Sequence, residues 1–297
     1  MRRARDGLAL AAAAAVGVQV GAAMVATRFV VQDMGPASLA LLRYAIAVLC
    51  LAPFVAAAGP VRFARRDLAA IMGLGIVQFG VLIALLNIGL RFMPSTRAAL
   101  LFATFPLLTM VVAALLGRER LSGMKAAGVV LSIAGVGVTL GESLLVAGGR
   151  GEWIGALAVL AAALCGAVCS VLYRPYLARY PTLPVGALAM LASVVFLAGF
   201  AAAEGLFSGA FALTGSDWAA VLFIGASSGI GYGLWLWALK ETTPTRVTVF
   251  LSLSPVTAAF LGVGLLGEAL TPGAILGLVA VAGGLWLATR MGAGTAS

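Results

Sequence analysis

Apolar residues fill one stretch after another of about twenty positions along this chain, and polar residues collect in the short segments between them. At ~1.5 Å of rise per residue, such a stretch is long enough as a helix to cross a hydrocarbon layer roughly 30 Å thick. The pattern predicts ten spans: Leu8–Ala26, Ala37–Ala58, Leu68–Leu90, Ala98–Gly117, Met124–Leu140, Trp153–Tyr173, Pro184–Glu204, Trp218–Leu239, Val247–Leu266 and Pro272–Thr289. The connections are too short to bury a core of their own. An all-α integral membrane fold follows, with no soluble domain to carry chemistry.

Composition strengthens that reading. Of the 297 residues 63% are apolar and 10% charged, with 38 glycines and no histidine, outside the range of water-soluble domains. The net charge of +9 would point to nucleic acid in a soluble protein. Here it is a topology signal instead. If the N-terminus is cytoplasmic, the inside segments hold Arg2, Arg3, Arg5, Arg62, Arg65, Arg66, Arg118, Arg120, Lys125, Arg174, Arg179, Lys240, Arg246 and Arg290. The outside segments hold only Arg28, Arg91, Arg97 and Arg150, so both termini are expected in the cytoplasm. Arg2, Arg3 and Arg5 ahead of the first apolar run resemble a signal peptide, but that run is longer than a typical signal core and is read as a retained helix. Cys50, Cys165 and Cys169 fall inside spans without redox-motif spacing and read as packing residues.

The chain also aligns on itself at an offset of 149 residues: Thr96-Arg97 meets Thr245-Arg246, Pro106 meets Pro255, Glu119 meets Glu268, Leu121 meets Leu270, Gly128 meets Gly277 and Gly135 meets Gly284. Residues 1–141 and 142–297 therefore read as two five-helix repeats. Five is odd, so the second repeat enters the membrane in the opposite sense. Inverted repeats recur in secondary transporters, where the halves exchange roles as a central site opens to each side in turn.

The run Ala238-Leu239-Lys240-Glu241-Thr242-Thr243-Pro244-Thr245-Arg246, then Leu253-Ser254-Pro255, Gly267-Glu268-Ala269-Leu270-Thr271 and Gly277, resembles the EamA-type drug/metabolite transporter superfamily. Leu42-Arg43-Tyr44, Phe105-Pro106, Arg118-Glu119-Arg120-Leu121-Ser122 and Gly128 match it more loosely. The resemblance covers essentially the whole chain. It implies a ten-helix bundle in a bacterial inner membrane that exports small metabolites, amino acids among them.

Candidate transport residues follow from what hydrocarbon tolerates. Pro106 and Pro255 fall near the middles of the fourth and ninth spans, where each removes a donor and displaces the carbonyl four residues earlier, of Phe102 and Leu251. A freed carbonyl must be satisfied by neighbours or line a wet cavity. These two positions, with Thr104, Ser252 and Ser254 nearby, are read as framing a central pathway. Arg43 is an ionisable residue well inside a span, either holding a substrate carboxylate or, the favoured structural role, snorkelling outward or bonding helix-end carbonyls. Gln19, Gln78 and Asn87 should face protein or cavity rather than lipid. Gln78 is assigned to the pathway and Asn87 to interhelical bonding. Tyr232 lies deeper in its span than Trp235 and Trp237 and is a further candidate, while Trp153 and Trp218 read as interfacial anchors. Glu119 and Glu268 lie near opposite surfaces, at the starts of helices five and ten, where a carboxylate suits the helix dipole.

No acidic residue lies centrally in a span, there is no histidine, and no phosphate-binding loop is present. Proton exchange on a buried carboxylate and ATP-driven pumping are both disfavoured. No catalytic or metal-ligating constellation is legible, so the chain is read as a carrier rather than an enzyme, with no cofactor. The expected partners are a small-molecule substrate and the bilayer, not nucleic acid. An amino acid or related amphiphile fits the sparse polar set, with a drug or other metabolite as the alternative and a receptor or scaffold as the reading from another class. Substrate identity and oligomeric state stay open.

Overall fold

In hydrocarbon the backbone must satisfy its own hydrogen bonds, and the ten apolar stretches do so as helices. In the computed structural model of the chain, residues 2–118, 123–146, 150–209, 211–241, 247 and 250–290 are described, and among them there is no strand. Ten long helices follow one another: α1 (Arg2–Val30), α2 (Pro36–Ala57), α3 (Arg65–Phe92), α4 (Ser95–Leu115), α5 (Gly123–Val146), α6 (Arg150–Leu172), α7 (Thr182–Ala203), α8 (Gly215–Glu241), α9 (Leu253–Leu266) and α10 (Pro272–Arg290). A six-residue helix, Arg174–Arg179, continues α6. Seven of the ten are long and apolar enough to cross a membrane by themselves, and three shorter apolar stretches, Ala126–Val138, Leu253–Leu266 and Pro272–Gly284, lie in α5, α9 and α10. Large apolar side chains such as Leu115, Phe260, Leu265 and Leu49 stand more than 70% exposed, an outer surface suited to lipid rather than to water.

Successive helices alternate in direction, so one end of the bundle holds the start of α1 and the α2–α3, α4–α5, α6–α7 and α8–α9 connections. The opposite end holds the rest. The halves interleave rather than sit side by side. α1 packs on α8 and α9, and in mirror fashion α6 packs on α3 and α4; α2 lies against α7 and α8, and α5 pairs with α10.

Small residues set the closest approaches. Gly225 and Gly229 let α8 meet Ile46 and Ala47 of α2, where an added Cβ would lie 2.6 Å from the Ile46 Cβ. Between α5 and α10 the contact is reciprocal: Gly135 faces the Gly277 carbonyl while Gly284 faces the Gly128 carbonyl. The glycines of helices five and ten thus pack within one chain.

Candidate functional site

Among the described residues, α3, α4 and the stretch leading into α9 depart from regular helical geometry. In α3 the segment Ile76–Val81 is π-helical, with the Leu82 amide reaching back five residues to the Val77 carbonyl. A π turn loosens the carbonyl ladder and is frequent at functional sites. The Cys169 thiol approaches the Leu74 carbonyl from α6 at 3.8 Å. Gln78 sits in the middle of this segment, and its Oε1 is buried with no hydrogen-bond partner among the described residues.

α4 and α9 are broken, but not where a mid-span proline predicts. α4 interrupts at Ala103–Thr104, and Pro106 opens its second part, Phe105–Leu115. The ninth span is helical at Val247, passes through a 3-10 turn at Phe250–Ser252 and resumes as α9 at Leu253, with Pro255 in its first turn. A proline there loses no bond, because first-turn amides have no intrahelical partner. The correction has a physical reason: breaking the helix one or two residues earlier removes the clash that an interior proline would create. Thr104 seals its own break, donating its hydroxyl to the Leu101 carbonyl at 2.6 Å. Phe102 stacks on Phe105 at 5.7 Å, and Phe105 fits against Gly166 of α6. On the mirror side, Gly17 and Gly21 of α1 lie directly against the Phe250 and Ser254 carbonyls, leaving no room for a side chain. Leu251 is half-buried in that turn, and the Ser252 side chain lies outside the described residues.

Polar groups of α1, α2 and α8 meet inside the bundle. Arg43 Nε donates to Ser228 Oγ at 2.8 Å, and Ser228 Oγ donates to the Ile224 carbonyl at 2.5 Å. Among the described residues Arg43 forms no ion pair, so its two terminal nitrogens are left for another acceptor. From α1, Gln19 Nε2 donates to Ser227 Oγ at 3.0 Å. An aromatic wall adjoins them: Phe79 of α3 meets Tyr44 edge-on at 5.0 Å and Tyr232 edge-on at 5.2 Å. Tyr173, at the foot of α6 near Tyr232 and Cys169, is 5% exposed, and its hydroxyl has no partner among the described residues.

Carboxylates serve elsewhere. Gly267 ends α9 with φ +64°, turning the chain so that Glu268 lies over the first turn of α4. The Glu268 carboxylate accepts the Ser95 amide at 2.7 Å, the Ser95 hydroxyl at 2.9 Å, the Thr96 amide at 3.2 Å and the Thr96 hydroxyl at 3.0 Å. It therefore caps α4, not α10, whose own start is bonded by the Thr271 hydroxyl. Packing across the halves, rather than chain proximity, chose the helix. Glu119 lies outside the described residues. Glu204, at the end of α7, likewise caps α2 through the Ala37 and Ser38 amides at 3.0 and 2.7 Å.

With the geometry in view, comparisons with known proteins place the chain. Its sequence matches the profile of the EamA-like transporter family twice, over residues 7–141 and 153–290. The chain belongs to the EamA-like transporter family. It is a multi-pass membrane transporter, not an enzyme, and the two matches mark its duplicated halves. A relative from Streptantibioticus cattleyicolor, described as a probable terminal-alkyne amino-acid exporter, is 32% identical over 272 residues, 89% of this chain and 88% of its own. An Escherichia coli relative, described as a probable amino-acid metabolite efflux pump, is 28% identical over 268 residues, 86% of each chain. A crystal structure shares the fold with a TM-score of 0.67 at 23% identity, covering 94% of this chain and 98% of that one.

In this EamA-like transporter, Gln19 and Arg43 meet the adjacent serines of α8, Tyr232 meets Phe79 of α3, and Gln78 precedes Phe79 in the π-helical segment. Phe102 stacks on Phe105, which packs on α6, and Thr104 and Pro106 lie at the break in α4, while Leu251 and Ser252 belong to the 3-10 turn before α9 and Pro255 to the first turn of α9. Asn87 is buried and bridges helices, donating to the Pro36 carbonyl at the start of α2 at 2.8 Å. Sequence reasoning passed over Ser227, Ser228, Phe79 and Tyr173. The adjacent serines inside a span were a usable signal for the first two. The spacing Gly17-x3-Gly21 signalled the close approach of α9 to α1.

Proposed function

We propose that this transporter exports amino acids or closely related small amphiphiles, with the substrate carboxylate held by Arg43. The observation that carries this reading is a half-buried guanidinium anchored through Nε, with no carboxylate partner among the described residues and both terminal nitrogens available. That leaves a planar fork suited to a carboxylate. Gln78, with its unpartnered carbonyl oxygen on a π turn, accepts from the substrate ammonium group. Two relatives described as probable amino-acid exporters or efflux pumps support the substrate class. The concentration of Arg and Lys at the end where α1 begins supports a bacterial inner-membrane orientation with both termini cytoplasmic. Alternating access about the interleaved halves moves the substrate, and solute gradients supply the drive, because no span carries a central carboxylate.

The test is reconstitution in liposomes, with uptake of a panel of radiolabelled amino acids with and without a pH gradient. Saturable, gradient-independent uptake is expected, and Arg43→Ala should raise KM by about tenfold or more, the equivalent of one charge-assisted hydrogen bond at ~1.5 kcal/mol or above. Gln78→Ala should weaken uptake less, while both variants keep a native melting profile. Absence of flux for every amino acid, or an unchanged KM in Arg43→Ala, overturns the assignment.

A further inference from the structure

A groove of about 540 Å³ opens between α2 and α7 at the end of the bundle where α1 begins, away from the interior cluster. Val48, Val55, Pro60, Phe63, Leu188 and Leu191 line it, so its walls are apolar. Its origin lies in α2. That helix is buried through Leu51 and then carries Pro53, beyond which none of its residues is buried. Proline in a helix interior kinks it and opens it away from its neighbour. From Val48 to Ala56 the groove follows α2 for about 12 Å.

The floor is the extended connection from Gly59 to Ala64, fixed against the α6–α7 link. Phe63 packs on the Tyr180 ring at 4.9 Å, and the Ala64 amide donates to the Tyr180 hydroxyl at 3.2 Å. The Tyr180 hydroxyl in turn donates to Asp67 at 2.8 Å, and Arg179 reaches the same carboxylate oxygen at 3.3 Å. The nearby acid is thereby taken. Arg62 lies between the lining residues Val61 and Phe63, and Arg65 and Arg66 open α3 directly beyond. All three are exposed, and none has a hydrogen bond or ion pair among the described residues.

We propose that this groove binds one anionic glycerophospholipid, an acyl chain lying in the cleft between α2 and α7 and the phosphate meeting Arg62, Arg65 and Arg66. The two chemistries are stacked in the order a lipid presents them: an apolar slot along the span, then a basic rim at its mouth. Guanidinium groups pair with phosphate in a bidentate manner, and basic clusters beside a span concentrate anionic lipid. A second copy of the chain is a poorer occupant, since a two-fold contact here would bring two such arginine clusters together.

The experiment uses the purified full chain, stripped of lipid in mild detergent. Phosphatidylglycerol and phosphatidylcholine of identical acyl chains are added at equal concentration, and bound lipid is counted by native mass spectrometry. Retention of phosphatidylglycerol should exceed that of phosphatidylcholine by about fivefold or more. The combined variant Arg62→Gln/Arg65→Gln/Arg66→Gln should abolish that preference, and Leu188→Trp, which fills the groove, should lower retention of both lipids. Arg91→Gln, exposed at the opposite end, should change neither. Equal retention of the two lipids, an intact preference in the triple variant, or its loss in Arg91→Gln overturns the proposal. So does a dimer that forms on delipidation and is lost in Leu188→Trp, which would make the groove a contact between copies.

Discussion

The two ends of the bundle are built from opposite charges put to different uses. At the end away from the start of α1, carboxylates bridge the halves: Glu204 caps α2, Glu268 caps α4, and Glu152 pairs with Arg97 at 3.0 Å. Arg28 adds two bonds to the Leu90 and Arg91 carbonyls at the end of α3. At the other end the described contacts are sparser: the Asp67–Arg179 pair, with the Arg179 side chain 64% exposed, and Arg118 bonded to the Val171 carbonyl at 2.5 Å. Arg62, Arg65 and Arg66 there are unpaired among the described residues. The difference teaches that a capping carboxylate can do more than end a helix. Glu204 and Glu268 each satisfy amides of a helix from the other half, so each fixes how the halves meet as well as where a helix starts.

Substitutions at the two ends should therefore differ in size. Glu268→Ala is expected to have the largest effect, a loss of about 3 kcal/mol, because it strands two amides and two hydroxyls at the start of α4. A thermal melt in detergent reads it, and a melting temperature equal to the native one would show that the cap does not hold the halves. Gly262→Ala should cost less, about 1–2 kcal/mol. The added Cβ would lie 2.6 Å from Glu268 Oε2 and 2.9 Å from Ser95 Oγ, forcing the cap aside without removing it. If Gly262→Ala melted like the native chain, the carboxylate would have room that the geometry denies it. Arg179→Ala at the basic end should be the smallest, within about 0.5 kcal/mol, as for an exposed ion pair. A drop comparable to that of Glu268→Ala would erase the contrast between the ends.

Much of the architecture was legible before any coordinates. Spans, repeat and orientation signal follow from hydropathy, the 149-residue offset and the distribution of arginine, because a bilayer leaves a chain few alternatives. The departures from regular helix were not legible. The π turn at Ile76–Val81 inserts a residue into a stretch that is apolar with or without it, so hydropathy is blind to the shift. Both prolines were read as mid-span, whereas each follows a break, and the position of each break depends on a partner: Gly17 and Gly21 admit the turn before α9, and Gly166 admits Phe105. The role of Glu268 as a dipole-matched cap was readable from its chemistry. Its target, α4, was not, because the nearest helix in sequence is α10. Arg43, Gln19 and Gln78 were singled out from the cost of polarity in hydrocarbon, whereas Tyr173 was passed over because a tyrosine near a span end reads as an interfacial residue.

The reciprocal seam between α5 and α10 carries one further consequence. An interface in which each helix offers the same pair of glycines to the other's carbonyls has the geometry of a two-fold dimer. Were the halves separate identical chains, every residue would have to appear twice around that axis, and a buried arginine would face its own copy. Joining the halves lifts that obligation. The stretch of α7 that corresponds to Arg43 reads Ala189, Met190, Leu191 and Ala192, apolar throughout. Arg43, without an ion pair among the described residues, can therefore sit off-axis in the bundle, giving a nearly symmetric scaffold an interior with a distinct head and tail.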